Sequence, residues 1–163
     1  MKKFTILTLF TAFLFVGMTA YAQEQGGMMI HGGLGIATDP NGLGESVTGF
    51  GGGFEYVFAD AMSGTVEYYS YSKDDATSGV LGIDYKYYFL TDDFKAFGKV
   101  GFTSITPEEG DGFSSLNLGV GGIYGFSDNL GAHAGIDYNL AKPDFDGADP
   151  FGLIIKFGIT YMF

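Results

Sequence analysis

The sequence lacks three features that would each indicate a familiar class of protein: cysteine, arginine and any apolar run as long as a transmembrane helix. Without cysteine the chain can form no disulfide bond, no thiolate metal site and no lipoprotein anchor. After residue 22, six lysines stand against nineteen acidic residues, which leaves a formal charge of −13. This acidic balance argues against nucleic-acid binding, because that activity needs a basic surface.

The first 22 residues have the order of segments that is typical of a cleaved secretory signal. Lys2 and Lys3 form a basic start, residues 4–18 are mainly apolar, and Ala20 and Ala22 are the small residues that signal peptidase reads. The apolar segment is shorter than the roughly 20 residues of a transmembrane helix. We therefore predict a signal peptide over residues 1–22 and one mature domain over residues 23–163.

Glycine and aromatic residues are abundant in the rest of the chain. There are 28 glycines, 17 phenylalanines and 11 tyrosines, residue types that form helices poorly but suit strands that twist and bend. From residue 151 to residue 163, apolar side chains occupy every second position, as in a strand with one apolar face. These positions are Phe151, Leu153, Ile155, Phe157, Ile159, Tyr161 and Phe163.

Four Tyr-x-Phe triplets divide the chain into similar units. They begin 31, 37 and 37 residues apart. Each of the first three precedes a short turn segment, and a longer polar loop lies within each unit. With two strands in each of the four units, we predict eight strands. They lie at residues 27–37, 48–58, 62–73, 78–89, 94–104, 114–126, 130–140 and 151–163. The aromatic residues of the triplets are Tyr56, Phe58, Tyr87, Phe89, Tyr124, Phe126, Tyr161 and Phe163.

The predicted strands are long, and their connections alternate between short and long. Their lengths are near the ~9–11 residues of a tilted strand that crosses a bilayer. Short turns at one end and longer loops at the other are typical of outer-membrane barrels, and aromatics at the strand ends match an interfacial girdle. We therefore predict an all-β fold, an eight-stranded antiparallel up-and-down transmembrane β-barrel. A soluble exported β-sandwich is the alternative, because a period of two does not say which face meets the core.

With these features the chain resembles the small outer-membrane β-barrel family of the OmpA/OmpX type over residues 27–163. The resemblance lies in the Tyr-x-Phe strand ends, the turn at residues 126–130, and the terminal Tyr161, Met162 and Phe163. It implies delivery by periplasmic chaperones, insertion by the barrel-assembly machinery, and contact with outer-membrane lipid and lipopolysaccharide. It also implies an integral protein of the bacterial outer membrane whose loops face the cell exterior.

If the aromatic face of each strand meets lipid, the opposite face lines the lumen. A charge on the lipid side at mid-bilayer would cost ~2–4 kcal/mol, whereas a paired charge in the lumen can be satisfied. Nearly every ionisable residue of the predicted strands falls on the lumen face. The predicted polar network comprises His31, Glu55, Glu67, Asp84, Lys86, Lys99, Asn117, His133, Asp137 and Lys156.

The register of the strands suggests ion pairs within this network. Placing Phe89 opposite Phe94 across their turn would put Asp84 directly opposite Lys99. An eight-stranded barrel is just wide enough to be filled by side chains, so these pairs favour a plugged lumen. The other expected pairs are Glu67 with Lys86 and Asp137 with Lys156.

A search for catalytic residues gives no convincing set. His133 and Asp137 share a face, but four residues of strand separate their Cα atoms by roughly 13 Å, too far for the orienting hydrogen bond of a triad. We therefore predict no catalytic residue, no cofactor and no metal ligand.

The four long loops are acidic: ten carboxylates and the two lysines Lys73 and Lys142 give them a net charge of −8. The spacing of three aspartates in the last loop could offer oxygens to Ca²⁺, but it lacks the fuller ligand set of an EF-hand. An open hypothesis is that divalent cations bridge the loops to lipopolysaccharide. The acidic residues are Asp39, Glu45, Asp74, Asp75, Glu108, Glu109, Asp111, Asp144, Asp146 and Asp149.

The function favoured by the sequence is a non-enzymatic outer-membrane protein with a plugged polar lumen, structural or adhesive through its acidic surface loops. A narrow porin-like channel for small solutes or ions is the alternative. A lipid-modifying outer-membrane enzyme is a more distant one. The sequence names no surface ligand.

Overall fold

The computed structural model describes residues 26–38, 46–73, 76–91, 94–107, 112–140 and 152–163. Within these residues the secondary structure consists of eight β-strands. No helix in this part of the chain is long and apolar enough to cross a membrane. The strands are β1 (Met28–Thr38), β2 (Val47–Ala59), β3 (Met62–Lys73), β4 (Ala76–Thr91), β5 (Phe94–Pro107), β6 (Phe113–Gly125), β7 (Leu130–Asn139) and β8 (Leu153–Met162).

The eight strands form one closed antiparallel barrel in chain order. Each strand pairs with its neighbours in sequence, and β1 closes the cylinder by pairing with β8. Because the barrel is closed, each strand has a hydrogen-bonded neighbour on both sides. A barrel in hydrocarbon requires this, because lipid offers no partners for backbone N–H and C=O groups. The predicted eight-stranded barrel is therefore confirmed, and the sandwich alternative is wrong.

The two faces of each strand have opposite chemistry. On β2, Phe50 is 69% exposed on the outside, whereas Glu55 and Val57 are each 0% exposed inside. Large apolar side chains cover the outer surface on all eight strands, and most of the charged strand residues are buried. This inverts the arrangement of a water-soluble protein, and it suits a barrel whose outer surface meets lipid.

The register between β4 and β5 corrects one expectation. Beyond a bulge between Tyr88 and Leu90, Asp84 lies opposite Gly101 and Lys86 lies opposite Lys99. The predicted placement of Asp84 directly opposite Lys99 is wrong, because the strands pair up to Thr91 and Lys95 beside the turn and the bulge then shifts the pairing by one residue. The net displacement is two residues, so Asp84 and Lys99 keep their predicted inward face.

The triplet aromatics lie at the end of the barrel that carries the short turns. Tyr161 and Phe163 meet edge to face with ring centroids 4.9 Å apart, and Tyr124 and Phe126 do so at 5.8 Å. Six of the eight are exposed, whereas Tyr87 and Phe89, beside the β4 bulge, are half-buried. Their role in a membrane girdle or an assembly signal stays a prediction. The predicted signal peptide, with Ala20 and Ala22, lies outside the described residues.

The barrel interior as the candidate functional site

The inward-facing side chains are arranged in three layers along the barrel axis. An apolar cluster lies at the end with the short turns (the turn-end layer), another lies at the end with the long loops (the loop-end layer), and charged groups lie between them. The turn-end layer comprises Met29, Val57, Ala61, Tyr88, Phe97 and Ile123. The loop-end layer comprises Ala37, Val47, Tyr69, Tyr71, Val80, Ile105 and Ile154.

Glu55 is the acceptor at the turn-end side of the charged region. It receives hydrogen bonds from Ser63 Oγ at 2.5 Å, from Tyr88 Oη at 2.5 Å and from Lys86 Nζ at 2.6 Å. The Lys86 ammonium also lies 4.6 Å from the centre of the Phe97 ring, where it gains a cation–π contact. Glu55 is fully buried, and these three donors meet the requirement that a buried carboxylate be hydrogen-bonded.

Lys99 and Lys156 connect the remaining carboxylates. Lys99 Nζ lies 3.0 Å from Asp84 Oδ2, 2.9 Å from Asp137 Oδ2 and 3.3 Å from Glu67 Oε1. Lys156 Nζ lies 2.7 Å from Asp137 Oδ2 and also contacts Glu67 Oε1. Two ammonium groups thus join carboxylates from three other strands, and the cluster ties five of the eight strands together.

The observed partners differ in part from those expected. The expected pair Asp137–Lys156 is present, and Lys99 reaches Asp84 diagonally rather than directly across. The predicted pairing of Glu67 with Lys86 is wrong. Lys86 lies opposite Ser63 on β3, so its ammonium extends across that strand to Glu55.

The two histidines occupy the same region. His31 Nε2 lies 3.7 Å from Glu67 Oε2, and the His31 and His133 rings meet edge to face with centroids 5.3 Å apart. His133 Nδ1 lies 3.0 Å from Thr160 Oγ1. These contacts place His31 beside the carboxylate of Glu67 and His133 beside the ring of His31.

Asn117 completes the predicted polar set, but it has a different partner. Its neutral side-chain amide donates a hydrogen bond to Thr103 Oγ1 at 2.6 Å and does not belong to the ion-pair cluster. Asn117 is buried, so this hydrogen bond offsets part of its desolvation.

The interior brings together no catalytic set among the described side chains. Asp137 is bound by Lys99 and Lys156, and His133 contacts Thr160 rather than a carboxylate. A triad needs a carboxylate that orients the histidine and a nucleophile beside it. Within the described residues there is also no group of three or more acidic, histidine or cysteine side chains that could hold a metal ion.

Sequence reasoning missed the aromatic residues of the interior. Glycine was expected only to let the strands twist and bend, but aromatic rings lie over several inward-facing glycines. A Cβ atom on Gly49 would lie 2.7 Å from Tyr71 Cδ1, and one on Gly121 would lie 2.6 Å from Phe97 Cζ. Tyr69 and Tyr71 occupy alternate positions after Glu67 and therefore lie on the same face of the strand. This alternation was the signal that could have placed them inside.

The interior side chains also enclose free space. One cavity of about 30 Å³ lies beside Glu67 and His133. A water molecule needs roughly 10–15 Å³ on this measure, so the cavity has room for about two waters.

The acidic loop residues lie outside the described residues. They are Asp39, Glu45, Asp74, Asp75, Glu108, Glu109, Asp111, Asp144, Asp146 and Asp149. The hypotheses of Ca²⁺ binding and of cation bridges to lipopolysaccharide therefore stay predictions.

Comparison with known proteins gives one family and several similar folds. A family model described as "Outer membrane protein beta-barrel domain" matches residues 8–163. No curated protein matches the chain by sequence. Three crystal structures of small outer-membrane proteins do resemble it in fold, at identities too low to carry a function from one to the other.

The first two come from Pseudomonas aeruginosa. OprG has a TM-score of 0.63 and 16% identity over 88% of this chain and 99% of its own. The N-terminal β-barrel domain of OprF has a TM-score of 0.65 and 20% identity over 86% of this chain and 100% of its own. Ail, the attachment invasion locus protein of Yersinia pestis, has a TM-score of 0.59 and 15% identity over 86% of this chain and 100% of its own.

Proposed function

The chain belongs to the family of outer membrane protein β-barrel domains, and from this membership we propose that it is a non-enzymatic barrel with a closed lumen. In this proposal the barrel is a rigid anchor in the bacterial outer membrane. Contacts with lipopolysaccharide or with a surface ligand are made by its loops, and solutes do not pass through it.

The three-layered interior is the observation that supports this proposal. A route along the axis would have to cross both the turn-end layer and the loop-end layer. At one end Tyr88 and Phe97 meet edge to face with centroids 5.4 Å apart, and at the other Tyr69 and Tyr71 stack at 6.2 Å. An ion that entered these layers would lose much of its hydration shell among aromatic rings and aliphatic side chains.

The charged layer supports the same proposal on energetic grounds. Each of its ammonium groups is bound to at least one carboxylate. Breaking such a buried pair typically costs ~3–5 kcal/mol, because it leaves an uncompensated charge. A pore that opened by separating these pairs would therefore be populated rarely.

Single-channel recording in planar bilayers tests the closed lumen. We expect no conductance steps from the wild-type barrel. The double variant Tyr71→Ala/Phe97→Ala removes one ring from each apolar layer and should introduce steps, which shows that the assay detects an opened barrel. Phe50→Ala is the matched control, since it removes a ring from the outer face. Regular steps from the wild-type protein would overturn the closed lumen in favour of a narrow pore.

The orientation of the barrel is a second part of the proposal. We infer that the short turns face the periplasm and the long loops face the cell exterior, because this is how outer-membrane barrels are wired. The chain contains no cysteine, so single-cysteine variants report accessibility cleanly. In intact cells, a membrane-impermeant maleimide should label Ser72→Cys at the loop end and leave Asp128→Cys at a short turn unlabelled. The reverse pattern would contradict this orientation.

A further inference from the structure

The outward-facing residues at the loop end of the barrel differ between its two sides. Where β7 and β8 meet β1, the surface stays apolar through Leu140, Leu153 and Ile36. On strands β3 to β6 it carries hydroxyl groups instead, on residues that are exposed or half-buried. These residues, which we call the hydroxyl patch, are Ser70, Ser72, Thr77, Ser104, Thr106 and Ser114.

The strand register joins the hydroxyl patch into one surface. Ser72 lies opposite Thr77 across β3 and β4, and their side-chain oxygens are 3.3 Å apart. Ser104 lies opposite Ser114 across β5 and β6. The side chains of directly paired residues stand close together on one face of a sheet, so each pair can contact a common ligand.

Gly79 connects the two halves of the patch. It lies opposite Ser70 on β3 and opposite Thr106 on β5. A Cβ atom on Gly79 would lie 2.7 Å from Tyr68 Oη, so the phenol group of Tyr68 extends over this glycine. Tyr68 is 55% exposed, and it therefore adds an accessible aromatic ring and a further hydroxyl group to the surface.

The hydroxyl patch borders the lipid-facing surface of the same strands. On the side of the turn end, Phe102 is the next outward residue after Ser104, and Leu116 is the next after Ser114. These apolar side chains are 65% and 39% exposed. Hydrocarbon offers hydroxyl groups no hydrogen-bond partner, so the patch lies where acyl chains end and headgroups begin.

The absence of charge from the patch indicates which headgroup it suits. Proteins bind phosphate groups mainly through arginine and lysine, and all six patch residues are serine or threonine. Their hydroxyl groups both donate and accept hydrogen bonds, as the hydroxyl groups of a sugar do. The exposed ring of Tyr68 also offers a packing surface to the apolar face of a sugar ring.

We propose that the hydroxyl patch binds the saccharide headgroup of a glycolipid whose acyl chains lie against Phe102 and Leu116. The site lies on one side of the barrel, because the outward hydroxyl groups of the described residues at the loop ends of β7, β8 and β1 are only those of Tyr138 and Thr38. With the long loops outside, the site lies in the outer leaflet, and in this respect the inference rests on the proposed orientation. It deepens the proposed function, because it assigns a glycolipid contact to the strands as well as to the loops.

Urea unfolding in lipid vesicles tests the site, with digalactosyl diacylglycerol, a glycolipid without phosphate, as the probe. The wild-type barrel is compared in phosphatidylcholine vesicles with and without this lipid. A ligand that binds only the folded state lowers the equilibrium constant for unfolding, by roughly tenfold when its concentration is about ten times its dissociation constant. We expect the glycolipid to cause such a decrease for the wild-type barrel.

Two matched double variants locate the effect. Tyr68→Phe/Ser70→Ala removes a phenol hydroxyl and an aliphatic hydroxyl from the patch, and it should lose most of the decrease. Tyr138→Phe/Thr38→Val removes the same kinds of group from the opposite side and should retain the decrease. Ser72→Ala/Thr106→Val replaces the first variant if that protein does not fold.

Equal responses of the patch variant and its control, or no decrease for the wild-type barrel, would overturn the inference. The vesicles contain the glycolipid in both leaflets, so this result does not depend on which end of the barrel faces outward. A reversed maleimide pattern in intact cells would instead overturn the orientation alone, so the two failures are distinguishable.

Discussion

Lys86 and Glu55 form an ion pair of 2.6 Å although a whole strand, β3, separates β4 from β2. Ser63 of the intervening strand donates to the same carboxylate at 2.5 Å, and Tyr88 brings a fourth side chain to the group. The interior of a small barrel is narrow enough for side chains to meet across strands that share no backbone hydrogen bonds. Pairing rules for adjacent strands therefore describe such an interior incompletely.

Removing this carboxylate should be strongly destabilising. Glu55→Leu leaves the buried ammonium of Lys86 without its partner, and we expect the free energy of unfolding to fall by ~3–5 kcal/mol. Adding Lys86→Met removes the unpaired charge and should recover much of the loss. Equilibrium urea unfolding of the two variants in lipid vesicles measures both effects. Equal stability of Glu55→Leu and the wild-type protein would show that the pair is dispensable.

The sequence was sufficient to predict the strands and the inward face of their charged residues. The alternation from Phe151 to Phe163 and the recurring triplets depend on local geometry, a period of two and a regular turn spacing. The pairing of Thr91 with Lys95 beside the turn and the bulge after Tyr88 were not predictable in this way, because neither follows from the period of two. Together they changed the partner of Asp84 but not its face, since their combined shift is two residues.

The polar network was predictable as a set but not as a pattern of contacts. Parity placed Lys99 inside, but it could not show that three carboxylates converge on its ammonium. That convergence depends on the diameter of the closed barrel and on side-chain length, which only the assembled structure supplies. The interior rings of Tyr71 and Phe97 were missed for a related reason, because aromatic residues were assigned to lipid by type.

The fit of Tyr71 against the barrel wall predicts the effect of an added methyl group. A Cβ atom on Gly35 would lie 2.9 Å from Tyr71 Cζ, and its three nearest atoms all belong to the Tyr71 side chain. We expect Gly35→Ala to cost ~1–3 kcal/mol of stability through overpacking. Gly98→Ala is the control, since a Cβ atom there meets no atom within 4 Å and should have little effect.

A second substitution identifies the source of that cost. Replacing Tyr71 by Val in the Gly35→Ala protein removes the ring that the new methyl group meets, so the pair should be less unfavourable than the sum of the two single changes. Unfolding free energies of the four proteins give the coupling directly. Strict additivity would mean that Gly35 is required by the backbone of β1 rather than by the packing of Tyr71.

The outward face should tolerate charge according to depth. Val66 is 50% exposed near the middle of β3 and lies opposite Ile83, whereas Phe58 is exposed near the short turn that follows β2. In a bilayer, lysine costs ~2–4 kcal/mol at the midplane but only ~0–1 kcal/mol near the interface. We therefore expect Val66→Lys to destabilise the barrel in lipid vesicles much more than Phe58→Lys does. Similar losses for both would mean that Val66 does not lie at mid-bilayer depth, and the proposed position of the barrel in the membrane would have to move.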